Sequence, residues 1–199
     1  MATVVKEFDA ISIKNSSVQF IENGTPSEGT KFGSVGTISG ETTMKELVKM
    51  VEGQEAKKRT KPEKHDLTVS AHVPVDVLRK IFGLSKEGLK PGVYSYGTEA
   101  KGLEFIYTAD VIDEFEDVTK LIAFPNCISA TGFKFTVTNG ADQVAEMELN
   151  LTAYPDEYSQ LYYEALSEEV DDSTVKTDWH KSFSRQLVAA TGGGGGVEG

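Results

Sequence analysis

The most regular pattern in the chain is a period-two alternation near its middle. Glu146, Glu148, Asn150 and Thr152 fall on one side of an extended strand; Ala145, Met147, Leu149, Leu151 and Ala153 fall on the other. Just upstream, Phe133, Phe135 and Val137 alternate with Lys134, Thr136 and Thr138. Successive strand side chains point to opposite faces, so each run reads as a half-buried strand. Asn139-Gly140 between them favours the positive φ angles of a tight turn. The pattern predicts a β-hairpin with one apolar face and one wet face, acidic on its last strand.

Other segments carry weaker patterns. Val4, Val5, Phe8, Ile11 and Ile13 fit an N-terminal strand or an extended arm, and Val18-Gln19-Phe20-Ile21 is a second short run. Residues 22–29 are turn-rich, and residues 32–40 read as irregular or as a weak strand. Residues 42–53 satisfy both a helical spacing (Met44, Leu47, Val48, Val51) and a strand face (Met44, Glu46, Val48, Met50, Glu52). The polar, basic residues 55–64 hold no apolar anchor and read as an exposed loop. Residues 67–73 alternate as a strand. Pro74, then Val75, Leu78, Ile81 and Phe82, then Gly83 mark a short amphipathic helix. Residues 85–97 read as a loop, 103–109 as a strand, 110–117 as an acidic connector and 118–124 as a strand.

After Pro155 and Asp156, the spacing of Tyr158, Leu161, Tyr162, Ala165 and Leu166 predicts a helix. Residues 168–172 form an acidic run. Trp179, Phe183 and Leu187 recur every four residues and read as anchors of a packed arm, before the glycine run 192–196.

Net charge is −11, from 20 Lys and Arg against 31 Asp and Glu. A protein that grips nucleic acid needs cations to replace phosphate counterions, so that class is disfavoured. The charge is segregated: residues 45–90 are rich in Lys and Arg, and the chain beyond residue 99 is acidic. No apolar run approaches the roughly 20 residues of a membrane span, and no secretory leader is expected at the N-terminus. The lone Cys127 excludes an internal disulfide and fits a reducing compartment. It follows Pro125-Asn126 and reads as a small packing residue in a turn.

Catalytic chemistry has no foothold. There is no GxSxG elbow, Walker loop, HExxH or CxxC spacing, and His65, His72 and His180 are scattered. No enzyme activity, cofactor or metal is expected.

The order of segments carries a resemblance. A basic stretch precedes HDLTVSAHVP and VDVLRKIFGL; GLEFIYTADVID and TKLIAFPNCISATGFKFTVTNGADQVAEMELNLTAYPD follow. Lys120, Phe124, Pro125 and Asn126 before a hairpin, with Ala153, Tyr154 and Pro155 at its end, carry the match; Ala123-Phe124 departs from it. Over about residues 45–165 the chain resembles the tail tube proteins, or major tail proteins, of long-tailed non-contractile bacteriophages (siphoviruses).

The resemblance implies a mainly β fold: a β-sandwich flanked by a short α-helix, with extended N- and C-terminal arms and a long inter-strand loop. It divides the chain into an N-terminal arm with first strands (1–40), a core (41–167) and a C-terminal arm (168–199). It implies hexameric rings with an inner β-barrel, stacked into a tube for DNA delivery in the virion and assembled in the host cytoplasm. The implied partners are other copies of the chain, a tape measure protein in the lumen, tail terminator and distal tail proteins, and genomic DNA in transit without specific binding. Glu146, Glu148 and Asn150 become lumen-facing candidates. Residues 42–53 become a strand, and Lys57, Lys58, Arg59, Lys61 and Lys64 an inter-ring loop meeting acid at residues 110–117 or 168–172. Trp179, Phe183 and Leu187 become anchors of the C-terminal arm. A baseplate or decoration module, or the tube of a phage-derived bacteriocin, is the alternative.

Overall fold

The computed structural model describes residues 4–51, 54–115, 118–135 and 146–190. The protein is mainly β. Its strands are β1 (Ala10–Glu22), β2 (Thr25–Pro26), β3 (Thr30–Lys31), β4 (Ser34–Val51), β5 (Gln54–His72), β6 (Glu104–Asp113), β7 (Thr119–Ser129), β8 (Met147–Ala153) and β9 (Tyr163–Leu166); the helices are α1 (Val75–Phe82), α2 (Ser173–Asp178) and α3 (Arg185–Val188). All strand pairs are antiparallel, in the order β2-β1-β6-β7-β8-β5-β4, with β3 on β1 and β9 on β7.

Ile11 and Ile13 of the first N-terminal apolar run share one strand with the second run, Val18 to Ile21, while Val4, Val5 and Phe8 precede it. β1 bends where its register slips between Lys14 and Ser17, beside Asn15 at φ 50°. Asn23 and Gly24, both at positive φ, then turn the chain into β2, the conformation such a turn demands.

The core draws on strands from both ends of the strand order. Val18 and Phe20 of β1, Phe105 and Tyr107 of β6, and Val69 and Leu149 of β5 and β8 belong to one buried cluster. The sheet is therefore curled, with its apolar side inward. Helix α1 covers one opening with Val77, Ile81 and Phe82. Pro74 precedes it, and Gly83, at φ 69°, terminates it in the left-handed conformation that favours glycine.

The central strand β6 is buried on both faces. Phe105, Tyr107 and Ala109 enter the main core, and Ile106 joins a second cluster with Leu121, Ala123, Trp179 and Phe183. That strand continues to Asp113, so residues 110–113 are not the start of an acidic connector. Strand β7 likewise runs on through Pro125. Its ladder with β6 skips from Phe124 to Cys127, leaving an extra residue at Pro125-Asn126. A bulge accommodates proline, which cannot donate to the ladder. Cys127 is therefore a fully buried strand residue, not a turn residue. Burial pushes its thiol up and keeps it un-ionised.

The helix expected after Pro155 is not formed. The Asp156 carboxylate accepts from the Tyr158 and Gln160 amides, and Ser159 adopts φ 62°. This side-chain-capped turn returns the chain as β9, which pairs with β7 from Lys120 to Ala123. Upstream of β8, Phe133 packs edge-on against Phe82 outside any strand. The expected turn at Asn139-Gly140 and the first hairpin arm beyond Phe135 lie outside the described residues, as does the glycine run.

Candidate functional site

The expected alternation of β8 is present. Leu149, Leu151 and Ala153 are buried, Glu146 and Glu148 are exposed, and Asn150 is half-buried. The ladders extend this pattern across three strands. Glu148 stands opposite Ser70, which stands opposite Thr37; Asn150 opposite Thr68 and Ser39; Thr152 opposite Asp66 and Glu41. The body of this sheet thus has one polar face of carboxylates, hydroxyls and an amide.

Short hydrogen bonds knit that face. The Thr68 hydroxyl donates to Asn150 Oδ1 at 3.0 Å. Asp66 accepts from Lys64 Nζ, from the Thr152 hydroxyl at 2.8 Å and from the Thr43 hydroxyl at 3.0 Å. These donors, Lys64 first, hold its carboxyl below the usual range, and the same contact raises Lys64. Lys134 lies 3.5 Å from Glu148. The Glu146 carboxylate closes over Gly36, 2.4 Å from where a Cβ would sit, so a larger residue at that point of β4 would push this exposed, flexible side chain aside. Thr152 was read on this face from the alternation, but Asp66 and Thr43 went unnoticed in the sequence. The signal was there: Lys64, Asp66, Thr68 and Ser70 form the polar half of the β5 alternation.

The residues expected as a basic loop form no loop. They are the first half of β5, paired with β4 from Thr43 to Val51. Pairing of β5 with β8 ends at His65, so beyond it β4 and β5 project as a two-stranded ribbon. The strand alternative for residues 42–51 is the one observed. An extra residue, Glu63, interrupts the ladder between Thr43↔Lys64 and Met44↔Pro62. Past it, Lys45↔Lys61, Leu47↔Arg59 and Lys49↔Lys57 share one side. Met44↔Pro62, Glu46↔Thr60 and Val48↔Lys58 share the other, where Lys58 pairs with Glu46 at 2.7 Å. The ribbon therefore has a cationic side and a more apolar side. Of the five expected cations, Lys57, Arg59 and Lys61 fall together; Lys58 is on the opposite side, and Lys64 belongs to the polar face of the body.

The expected acidic targets divide. Asp110 is buried and accepts from Asn15 Nδ2 at 2.7 Å, with His180 Nε2 also at 2.7 Å. Asp113 is buried and accepts from the Asp9 amide. Both are spent inside the molecule and offer no surface to a partner, while Glu114 is exposed and Glu116 and Asp117 lie outside the described residues. Glu168, Glu169, Asp171 and Asp172 are exposed, with Asp172 capping α2 through the Thr174 amide.

Trp179 and Phe183 are buried against this chain's own β6 and β7, with Leu187 half-buried beyond them. The Thr108 hydroxyl and Asp110 bracket the two nitrogens of His180. The set looks like a hydrolase triad in kind, but Thr108 is fully buried, so the arrangement fastens the C-terminal segment rather than presenting a nucleophile. Among the described residues no group of His, Cys, Asp and Glu could hold a metal ion, and no helix is long and apolar enough to cross a membrane.

No known family model matches the chain, and no curated protein matches it.

Proposed function

We propose that the chain is a tail tube subunit of a long-tailed non-contractile bacteriophage. On this reading it polymerises as stacked hexameric rings into the conduit for DNA delivery. One observation carries the reading: a continuous polar sheet face whose two long strands leave the body together as a projecting ribbon. The first feature suits a channel wall and the second a contact with the next ring.

Strand edges support the same reading. Among the described residues, β4 pairs only with β5, and β8 pairs with β7 only from Leu151 to Ala153. Free edges of this kind invite pairing with another chain. A ring turns that liability into its interface, with the inner sheets of a sandwich joined edge to edge into a barrel. Glu146, Glu148 and Asn150 then line the lumen, with Glu41 and Asp66 beside them. An acidic wall repels phosphate and releases no counterions on contact, so DNA slides without sticking. The ribbon cations lie beyond the end of β8, at the ring-to-ring contact. No catalysis is assigned. A tape measure protein would occupy the lumen before ejection, and terminator and distal tail proteins would close the ends.

Electron microscopy of the purified protein, alone and with tail partners, tests the reading. Hexameric rings or hollow tubes are expected. A strict monomer under all these conditions would overturn it and favour a baseplate or decoration module.

A further inference from the structure

A cleft of about 720 Å³ opens where β1 bends, between β3, the start of β4 and the segment after α2. That volume suits a small ligand. Lys14 of β1, Lys31 of β3 and Lys181 of the C-terminal segment line it, and no Asp or Glu does. The chain carries 31 Asp and Glu against 20 Lys and Arg, so a lining with three ammonium groups and no carboxylate runs against the composition of the whole molecule. Lys31 and Lys181 have no carboxylate partner among the described residues. Two cations brought to one cleft without a counter-charge repel each other, and a bound anion offsets that repulsion.

The fold builds this cleft from three distant segments. The β1 ladder skips from Lys14 to Ser17, which takes Asn15 and Ser16 out of register and bends the strand. The C-terminal segment is fixed against that bend. The Ser17 hydroxyl donates to the His180 carbonyl at 2.8 Å, and the Gly29 amide donates to the Lys181 carbonyl at 2.7 Å. A Cβ on Gly29 would lie 1.8 Å from the His180 carbonyl oxygen, a backbone atom that cannot swing away, so this closure requires glycine. The backbone of Lys181 is thus positioned before any ligand arrives.

Asp110, which holds His180, does not compete for these cations. One of its oxygens accepts from Asn15 Nδ2 and the other meets His180 Nε2, both at 2.7 Å, and it is buried outside the lining. Asn15 keeps a second amide hydrogen, and Ser34 adds a hydroxyl to the lining. Ammonium, amide and hydroxyl donors therefore surround one space. A tetrahedral oxyanion, with several acceptor oxygens, can use them together. Ile13 and Val35 add an apolar flank for an organic part. We propose that this cleft binds a small phosphate ester, with the phosphate gripped by Lys31 and Lys181 and the organic part against Ile13 and Val35. The site shares no residue with the polar face at Glu146, Glu148 and Asn150, and the inference does not depend on the tube reading.

Calorimetric titration of the full chain with phenyl phosphate tests it, beside inorganic phosphate and a sodium chloride blank of matched ionic strength. One saturable site per chain is expected, with a thermal midpoint that rises with occupancy. Phenyl phosphate should bind more tightly than inorganic phosphate. Lys31→Gln with Lys181→Gln should weaken binding by roughly tenfold or more for each charge-assisted bond lost. Both lysines are exposed, so the circular dichroism without ligand should not change. Lys31→Arg with Lys181→Arg should retain binding. Lys86→Gln with Lys90→Gln, the same charge change on the loop after α1, should bind as wild type does. No saturable heat would overturn the proposal, and so would equal weakening in the two Gln pairs, which would reduce the effect to net charge. Equal affinity for the two probes would overturn the place given to Ile13 and Val35. A short single-stranded oligonucleotide that displaces phenyl phosphate at far lower concentration would overturn the small-ligand assignment.

Discussion

The indole N–H of Trp179 donates to the carbonyl of Ile122 at 3.0 Å, joining the C-terminal segment to the middle of β7 across 57 residues of chain. The ring is buried and packs edge-on against Phe183. Trp179→Ala should cost about 3–5 kcal/mol, the range for emptying a buried aromatic site. Trp179→Phe keeps much of the packing and loses the hydrogen bond, at the smaller cost of about 1 kcal/mol. Urea unfolding followed by circular dichroism measures both. Equal midpoints for wild type and Trp179→Ala would show that the segment contributes no stability.

Titration of the polar face gives a signed expectation. Asp66 is held below its ordinary value by Lys64 and two hydroxyls. Its contribution is therefore complete above about pH 4, the unfolded range, and is lost as pH falls through the lower folded value. Lys64 is raised by the same contact, so its share is present below about pH 10.4 and is lost as pH rises through the folded value. His65 is lowered by burial; its share is complete above about pH 6.5 and declines as pH falls through its folded value. Asp66→Asn should flatten the acid limb of urea midpoints measured from pH 3 to 11, and His65→Gln the slope just above it. An acid limb unchanged in Asp66→Asn would refute the first assignment.

Reversing the proposed channel wall separates assembly from transport. Glu146→Lys with Glu148→Lys leaves the apolar side of β8 untouched, so rings and tubes should form. DNA delivery should fall sharply, because Lys on the wall captures phosphate. Infectivity of particles carrying the double variant, scored against tube length by microscopy, measures this. Full infectivity would exclude these carboxylates from the lumen.

Reversing the cationic side of the ribbon tests the other end of the molecule. Lys57→Glu with Arg59→Glu and Lys61→Glu changes three residues on one side and spares the Lys58–Glu46 pair. Stacking should weaken, with a stronger loss at low salt, where surface charge is least screened. Tubes of normal length at every salt concentration would reject an electrostatic role for that side.

These residues also show what was legible in the sequence. The alternation of β8 and of the inner half of β5 could be read directly, because one face of each is buried. Helix α1 could be read from Pro74 and Gly83. The ribbon could not. Residues 54–64 bury nothing, so no hydrophobic period marks them, and their strand conformation comes from pairing with β4. Residues 158–166 did have a period, and it misled. The stripe from Tyr158 to Leu166 satisfies a helix, but Asp156 caps a turn and the edge of β7 at Lys120–Ala123 captures the segment as β9. Asp110 and Asp113 looked like surface acids because their partners Asn15, His180 and Asp9 lie far away in the chain. In each case the deciding partner is non-local, which a short window cannot contain.

The extra residue at Glu63 acts as a phase shift written into β5. In the body of the molecule the odd positions Leu67, Val69 and Ala71 point into the core. With a period of two and no interruption, Lys57, Arg59 and Lys61 would point to that same apolar side. The one-residue slip moves them across, in line with Lys45 and Lys49. A single glutamate thus decides which way the ribbon is wired, and the two halves of one strand can carry opposite codes.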